Sequence, residues 1–203
     1  MSATIEGPDG KSRCRWCGAA PEFLAYHDTE WGFPVSDDNR LFEKLSLEGF
    51  QSGLRWRTIL SKRENFRAAF HDFDFNRIAR FTQRDITRLL NDEGIVRHRG
   101  KIEAVVNNAR QARELVKRES SLAAFVWRYE PVKKQLVEPQ TASTSAESVA
   151  LSKDLKKLGW KFIGPTTVYA FMLAMGLVND HVVDCVIRTK VERVRKSFRR
   201  PGC

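Results

Sequence analysis

The chain is predicted to be all-α, and three observations carry that reading. Apolar residues recur at helical spacing along most of the sequence, capping signals precede those runs, and no stretch shows the strict apolar–polar alternation of a half-buried strand. Residues 1–13 read as a flexible leader, 14–187 as the folded domain, and 188–203 as a basic C-terminal extension that is partly helical. Ser36 followed by Asp37 and Asp38 opens a helix that runs through Leu41, Phe42 and Leu45 to about Ser52, with acids in the first turn where the macrodipole favours them. Thr82 and Asp85 form a capping-box pattern ahead of Ile86, Leu89 and Leu90. Residues 101–118 carry the clearest amphipathic stripe, Ile102, Val105, Val106, Ala109, Ala112 and Val116. A long loop is expected over 139–147, followed by a helix over about 145–158 that Gly159 ends as its C′ residue.

Composition narrows the class. With 203 residues, 42% hydrophobic and 30% charged, the chain fits one globular domain and not a disordered, collagen-like or coiled-coil protein. Phe162 to Asn179 carries no charge, but Gly164, Pro165, Thr166, Thr167 and Gly176 punctuate it, so it reads as a buried helix with a polar start, not a bilayer span. The first residues lack a charged segment followed by an apolar run, so a soluble, cytoplasmic protein without membrane contact is expected. The net charge is +10, of which residues 188–200 hold +6. A basic tail attracts polyanions without specificity and is equally compatible with a solvated extension.

Three constellations carry chemistry. His181 and Cys185 are four apart, one helical turn, and Cys14 and His27 lie near the other end of the chain. Thiolates and imidazoles in a set of four suit a closed, structural zinc site, which here would tie the two ends together. A His and a Cys one turn apart also occur in ordinary cores, and Cys17 makes a second Cys-x-x-Cys half-site that could replace His27. The second constellation is a carboxylate on an apolar stripe. Glu48 falls within about 20° of Leu41 on a helical wheel that advances about 100° per residue, on the face that carries Leu45. A buried Glu needs a partner or a task; Arg55 or Arg57 could satisfy it, whereas Trp16, Phe23, Tyr26, Trp31 and Trp56 nearby in sequence suit a flat, cationic ring. The third is the run from Leu158 to Phe171, where a helix ends at Gly159, a turn centres on Gly164-Pro165, and an apolar helix begins. Pro suits the first helical position, and free amides there can hold a phosphate.

Together these segments resemble the 3-methyladenine DNA glycosylase I family of the helix-hairpin-helix glycosylase superfamily. The resemblance runs from residue 14 to about 187 and rests on Cys14-Arg15-Trp16, Tyr26-His27-Asp28-Thr29-Glu30-Trp31-Gly32, Leu47-Glu48-Gly49, Gly53-Leu54-Arg55-Trp56, Arg97-His98-Arg99-Gly100-Lys101-Ile102, Thr144-Ser145, Gly164-Pro165-Thr166-Thr167 and Val178-Asn179-Asp180-His181-Val182-Val183-Asp184-Cys185. It implies the helix-hairpin-helix fold and a monofunctional enzyme that flips 3-methyladenine out of double-stranded alkylated DNA and hydrolyses its N-glycosidic bond, acting as a monomer. It implies a structural zinc on Cys14, His27, His181 and Cys185. It places Glu48 as the catalytic acceptor for the cationic base, with Tyr26, Trp56, Trp16 and Phe23 around the ring. Leu54 would be the wedge that fills the gap in the duplex, with Gln51 beside it, and Gly164, Thr166 and Lys161 would contact DNA at the hairpin. Thr166 and Thr167 stand where lyase-competent superfamily members carry a lysine nucleophile, and no cluster of four C-terminal cysteines is present for an iron–sulfur centre. Asp180 lies where many members place a catalytic aspartate, but adjoins His181 and is expected to cap or orient. Phe23 replaces a more usual Tyr and Arg55 a more usual Ser, which leaves base preference open. The competing reading is a zinc-stapled DNA-binding module without catalysis, which would not need an inward carboxylate.

Overall fold

A computed structural model describes residues 2–132 and 138–202; Met1, 133–137 and Cys203 lie outside the described residues. The chain is helical, as expected, apart from a small hairpin. β1 (Thr4–Glu6) pairs antiparallel with β2 (Ser12–Cys14), with Ile5 opposite Arg13. Strands of three residues are too short to show alternation, but Pro8-Asp9-Gly10 is a turn signature and Gly10 takes φ +72°. The hairpin takes in most of the residues read as a leader and ends on Cys14, the first residue of the predicted domain. Its Arg13 guanidinium bonds both Asp9 (2.6 Å) and Asp28 (2.9 Å).

A 3₁₀ turn (Arg15–Ala19) leads into α1 (Pro21–Thr29), which starts with Pro at its first position. α2 (Asp38–Gln51) follows, its N-cap being Asp37, whose Oδ1 accepts from the Arg40 amide at 2.8 Å. Then come α3 (Trp56–Ser61), α4 (Arg63–Ala69), α5 (Phe75–Ile78) and α6 (Gln83–Leu90), the last opened by the expected Thr82–Asp85 capping box. α7 (Arg99–Glu119) carries the amphipathic stripe and is capped by His98, and α8 (Leu122–Trp127) is capped by Ser121. α9 (Ala146–Lys157) begins on Ser145 and stops before Gly159, which takes φ +84°. α10 (Pro165–Ala174) and α11 (Val186–Ser197) complete the chain.

α2 is the central element. It packs on α10, α7, α8 and α3, and every residue from Leu41 to Phe50 is buried, including Glu43, Lys44 and Glu48. A helix surrounded on all sides has no solvent face on which to place its charges, so each needs a partner. Glu43 finds Arg67 at 2.8 Å. Phe42, Phe50, Phe66, Phe70 and Phe73 fill the adjoining core. α9 and α10 pack as a helical hairpin. The basic extension is docked: Val191 is buried, Phe198 stacks 4.5 Å from Trp127, and Glu130 holds Arg195 at 2.7 Å and Arg200 at 2.5 Å. Among the described residues no helix is long and apolar enough to cross a membrane.

Candidate active site

The Glu48 carboxylate opens on a cavity of about 210 Å³ lined by Trp16, Tyr26, Trp31, Lys44, Gln51, Trp56, Ala170 and Leu173. Each wall comes from a different local device. The 3₁₀ turn after β2 supplies Trp16, α1 supplies Tyr26, the first residue of α3 is Trp56, and α10 closes the back. Trp16 meets Trp31 edge-on at 5.0 Å and Tyr26 at 6.3 Å, while Tyr26 lies 5.6 Å from Trp56. Phe23 packs 5.9 Å from Trp16, behind that ring, and is not among the residues lining the cavity.

Glu48 is buried and its partner is neither Arg55 nor Arg57. Arg57 pairs with Glu22 at 2.7 Å, and Arg55 is exposed at the start of α3. The carboxylate instead receives Lys44, one turn earlier on α2, at 2.8 Å. The same ammonium donates to the Tyr26 hydroxyl at 2.8 Å and lies 3.5 Å from the centre of the Trp56 ring. Burial works against the Lys44 charge, but Glu48 and Tyr26 outweigh it and hold the ammonium above lysine's usual range. Burial pushes the Tyr26 hydroxyl up, with Lys44 opposing. The Trp56 indole N–H is buried without a protein partner, a donor available to whatever enters.

Beside the cavity the end of α2, the start of α7 and the α9–α10 hairpin converge. Lys101 donates from Nζ to the carbonyl oxygens of Phe50 (2.8 Å) and Ser52 (2.5 Å), closing the C-terminus of α2. The 51–54 turn follows, with Gly53 at φ +78°, Gln51 Nε2 donating to the Leu54 carbonyl at 3.3 Å, and Leu54 exposed. Phe162 of the hairpin is exposed and packs close to Gly49 and Gly100. Asn108 grips Lys161 by both main-chain groups, at 2.8 and 2.9 Å, leaving the Lys161 side chain in solvent. Gly164 is the N-cap of α10, has no side chain over the first turn and makes no side-chain cap bond, and Pro165 carries no N–H, so the free amides of the first turn are those of exposed Thr166 and of Thr167. Sequence reasoning missed Lys101. Hydrogen bonds from a charged donor are worth about 1.5–3 kcal/mol. Lys101→Met is therefore expected to cost about 2 kcal/mol, which lowers Tm by about 4–8 °C for a domain of this size; a thermal melt by circular dichroism checks it.

On the far side of Trp16 and Trp31 the two ends of the chain meet. Ligand atoms of Cys14, His27 and Cys185, all buried, lie within 4.8 Å of one another. Cys17 is buried but outside this group, and His181 lies beside it, its ring 4.8 Å from that of His27. Both imidazoles are anchored through Nδ1, His27 on Asp28 at 2.7 Å and His181 on Asn179 at 2.9 Å. His27 Nε2 then faces the Cys185 sulfur at 3.5 Å, and His181 Nε2 is buried with no hydrogen-bond partner. Burial and neighbouring His27 bring His181 down to about 4, so its ring is neutral at neutral pH, the form in which an imidazole can bind a metal. The Cys14 sulfur pulls the Cys185 thiol strongly down while its own is displaced up, as two adjacent sulfurs sharing a proton require. Two sulfurs and an anchored imidazole within 4.8 Å of one another, with the orphaned Nε2 of a second imidazole whose ring neighbours the first, fit a metal ion.

The mostly helical fold that carries this hairpin and cavity is that of a DNA glycosylase: a solved 3-methyladenine DNA glycosylase I superposes with a TM-score of 0.81 at 47% identity, covering 86% of this chain and 98% of that one. The sequence model of the methyladenine glycosylase family matches residues 16–189. The chain is 48% identical over 177 residues to DNA-3-methyladenine glycosylase 1 of Escherichia coli K12, covering 85% of this chain and 95% of that protein. It is 45% identical over 182 residues to DNA-3-methyladenine glycosylase of Haemophilus influenzae, covering 88% and 98%. The solved 3-methyladenine DNA glycosylase I of Staphylococcus aureus superposes with a TM-score of 0.81 at 37% identity, covering 92% of this chain and 98% of that one. The chain belongs to the methyladenine glycosylase family, that of 3-methyladenine DNA glycosylase I.

Proposed function

We propose that this protein excises 3-methyladenine from alkylated double-stranded DNA by hydrolysing the N-glycosidic bond and leaves the backbone intact. The observation that carries the reading is Glu48, a buried carboxylate opening on a cavity walled by Trp16, Tyr26, Trp31 and Trp56 beside the hairpin. A target base must leave the stack to be reached, which costs roughly a few kcal/mol and least for a damaged base. Adenine methylated at N3 and still bound to its sugar is cationic and therefore a good leaving group. It needs charge recognition more than a general acid. Glu48 supplies an acceptor and a negative charge, and the aromatic faces supply cation–π attraction. Trp16, Tyr26 and Trp56 hold the ring, with Phe23 buttressing Trp16. Leu54 on its Gly53 turn fills the vacated position, with Gln51 at the cavity rim. The first-turn amides of Thr166 and Thr167, approached over the bare Gly164 N-cap, take backbone phosphate together with Lys161. The proposed enzyme acts as a monomer in the cytoplasm.

The metal site favours Zn²⁺ by its donor chemistry, with Cys14, His27 and Cys185 as ligands and His181 as the fourth. A structural ion there would tie β2 and α1 to the segment ahead of α11 and so hold Trp16 and Trp31 against the cavity. With Thr166 and Thr167 after the hairpin, no lysine nucleophile follows it. Incubation with methylated duplex DNA should release 3-methyladenine, identified by chromatography, and borohydride should trap no covalent complex with abasic DNA. Absence of the released base would favour a binding module without catalysis.

A further inference from the structure

The chemistry outlined above leaves one buried residue of the cavity without a task. Lys44 sits 2.8 Å from Glu48, 2.8 Å from the Tyr26 hydroxyl and 3.5 Å from the centre of the Trp56 ring. Its ammonium therefore makes the same three kinds of contact expected of the cationic base: an ion pair to the carboxylate, a polar contact at Tyr26, and a cation–π contact on Trp56. A buried Lys–Glu pair is a poor source of stability, since taking both charges out of water offsets most of their attraction. Lys44 and Glu48 sit one turn apart on a central helix that is packed on all sides. That backbone is held, and only the four-carbon lysine stem can move the charge.

We propose that Lys44 is a charge gate. Its ammonium holds the base's place against Glu48 and Trp56 in the free enzyme, yields it to an adenine that brings its own positive charge, and retakes it after cleavage. The inference rests on the reaction proposed above. In that reaction the bond from the sugar C1′ to the base nitrogen breaks with its electron pair passing to the base. Water adds its oxygen to C1′ and releases a proton, and the base leaves as neutral 3-methyladenine. Before cleavage the incoming cation replaces Lys44 as the partner of Glu48, so the carboxylate is never left alone in a low-dielectric site. After cleavage the base no longer compensates Glu48, and the returning ammonium expels it. Undamaged adenine is neutral throughout and must displace the ammonium while offering no charge in exchange, which adds a barrier against the commonest wrong base.

The test titrates the full-length protein with two probes of the same ring, neutral 3-methyladenine and the permanently cationic 3,9-dimethyladeninium, followed by tryptophan fluorescence or calorimetry. Wild type should bind the cation at least about tenfold more tightly than the neutral base. Lys44→Met should bind the neutral base about tenfold more tightly than wild type and show stronger product inhibition, with kcat falling more than kcat/KM. Lys44→Arg, which keeps the charge, should bind the neutral base as weakly as wild type does. Unchanged or weaker binding of neutral 3-methyladenine by Lys44→Met overturns the gate, and so does equal affinity of wild type for the two probes, a measurement that stands even where the variant fails to fold. If wild type releases no 3-methyladenine from methylated DNA, it is the reaction assignment that falls; if wild type does release it and the binding results go the other way, the gate alone falls.

Discussion

Glu48→Gln should lower excision of 3-methyladenine by about 10²–10³-fold, the usual cost of losing one preorganised charge-stabilising group. The reason is electrostatic on two counts. The amide keeps the shape and an acceptor oxygen but removes the negative charge that meets the cationic base. It also leaves the buried Lys44 ammonium, 2.8 Å away, without its counter-ion, so the cavity becomes repulsive to a cation. Removing one member of a buried pair typically costs about 3–5 kcal/mol, and because the amide oxygen can still accept from Lys44, a loss at the lower end is expected. Single-turnover excision assays paired with thermal melts separate the two effects. In a double-mutant cycle, adding Lys44→Met should recover stability but not the wild-type rate. Near-normal excision by Glu48→Gln would remove the carboxylate from the chemistry.

The second large effect concerns the junction of the chain ends. The purified protein should carry about one equivalent of zinc, and His27→Ala or Cys185→Ala should lose it, whereas Cys17→Ser should keep it because Cys17 lies outside the cluster. Loss of a tie between distant chain segments, by analogy with loss of a structural disulfide, costs about 2–5 kcal/mol, equivalent to about 2–4 °C in Tm per kcal/mol at this size. Elemental analysis and melts with and without a strong chelator check both parts. Activity should suffer with stability, because Trp16 and Trp31 bridge the two sites: Trp16 packs 5.3 Å from His27, and Trp31 packs 4.6 Å from His181. A metal-free wild type with unchanged Tm would leave the cluster as an ordinary buried thiol pair.

Most of the helical frame was legible because its signals are local. Thr82 and Asp85 cap α6 as their spacing indicates, Gly159 ends the turn after α9 with a positive φ, and Pro165 begins α10. The burial of Glu48 was legible for the same reason, since Leu41, Leu45 and Glu48 share a face on any helix. Its partner was not. Lys44 stands one turn before Glu48, and a lysine on a helix ordinarily reaches solvent; only the packing of α10, α7, α8 and α3 around α2 removes that option. The β hairpin escaped because a three-residue strand has no period to read. Lys101 stood in the Arg97–Ile102 segment of the resemblance without a role, because its acceptors, the carbonyls of Phe50 and Ser52, lie about fifty residues away in sequence.

Residue order alone determined the helical class, the caps and turns, the family resemblance and the short list of groups able to bind a metal or a cationic ring. All of these depend on neighbours within a few positions, or on residue type. Tertiary structure decided which of them meet. It brought Cys14 and His27 to Cys185 across the length of the chain, placed His181 alongside, set Phe23 behind Trp16 and made Lys44 the companion of Glu48. Such pairings between distant segments follow from how whole helices exclude water from one another, and that exclusion is a property of the packed assembly that no local stretch of sequence contains.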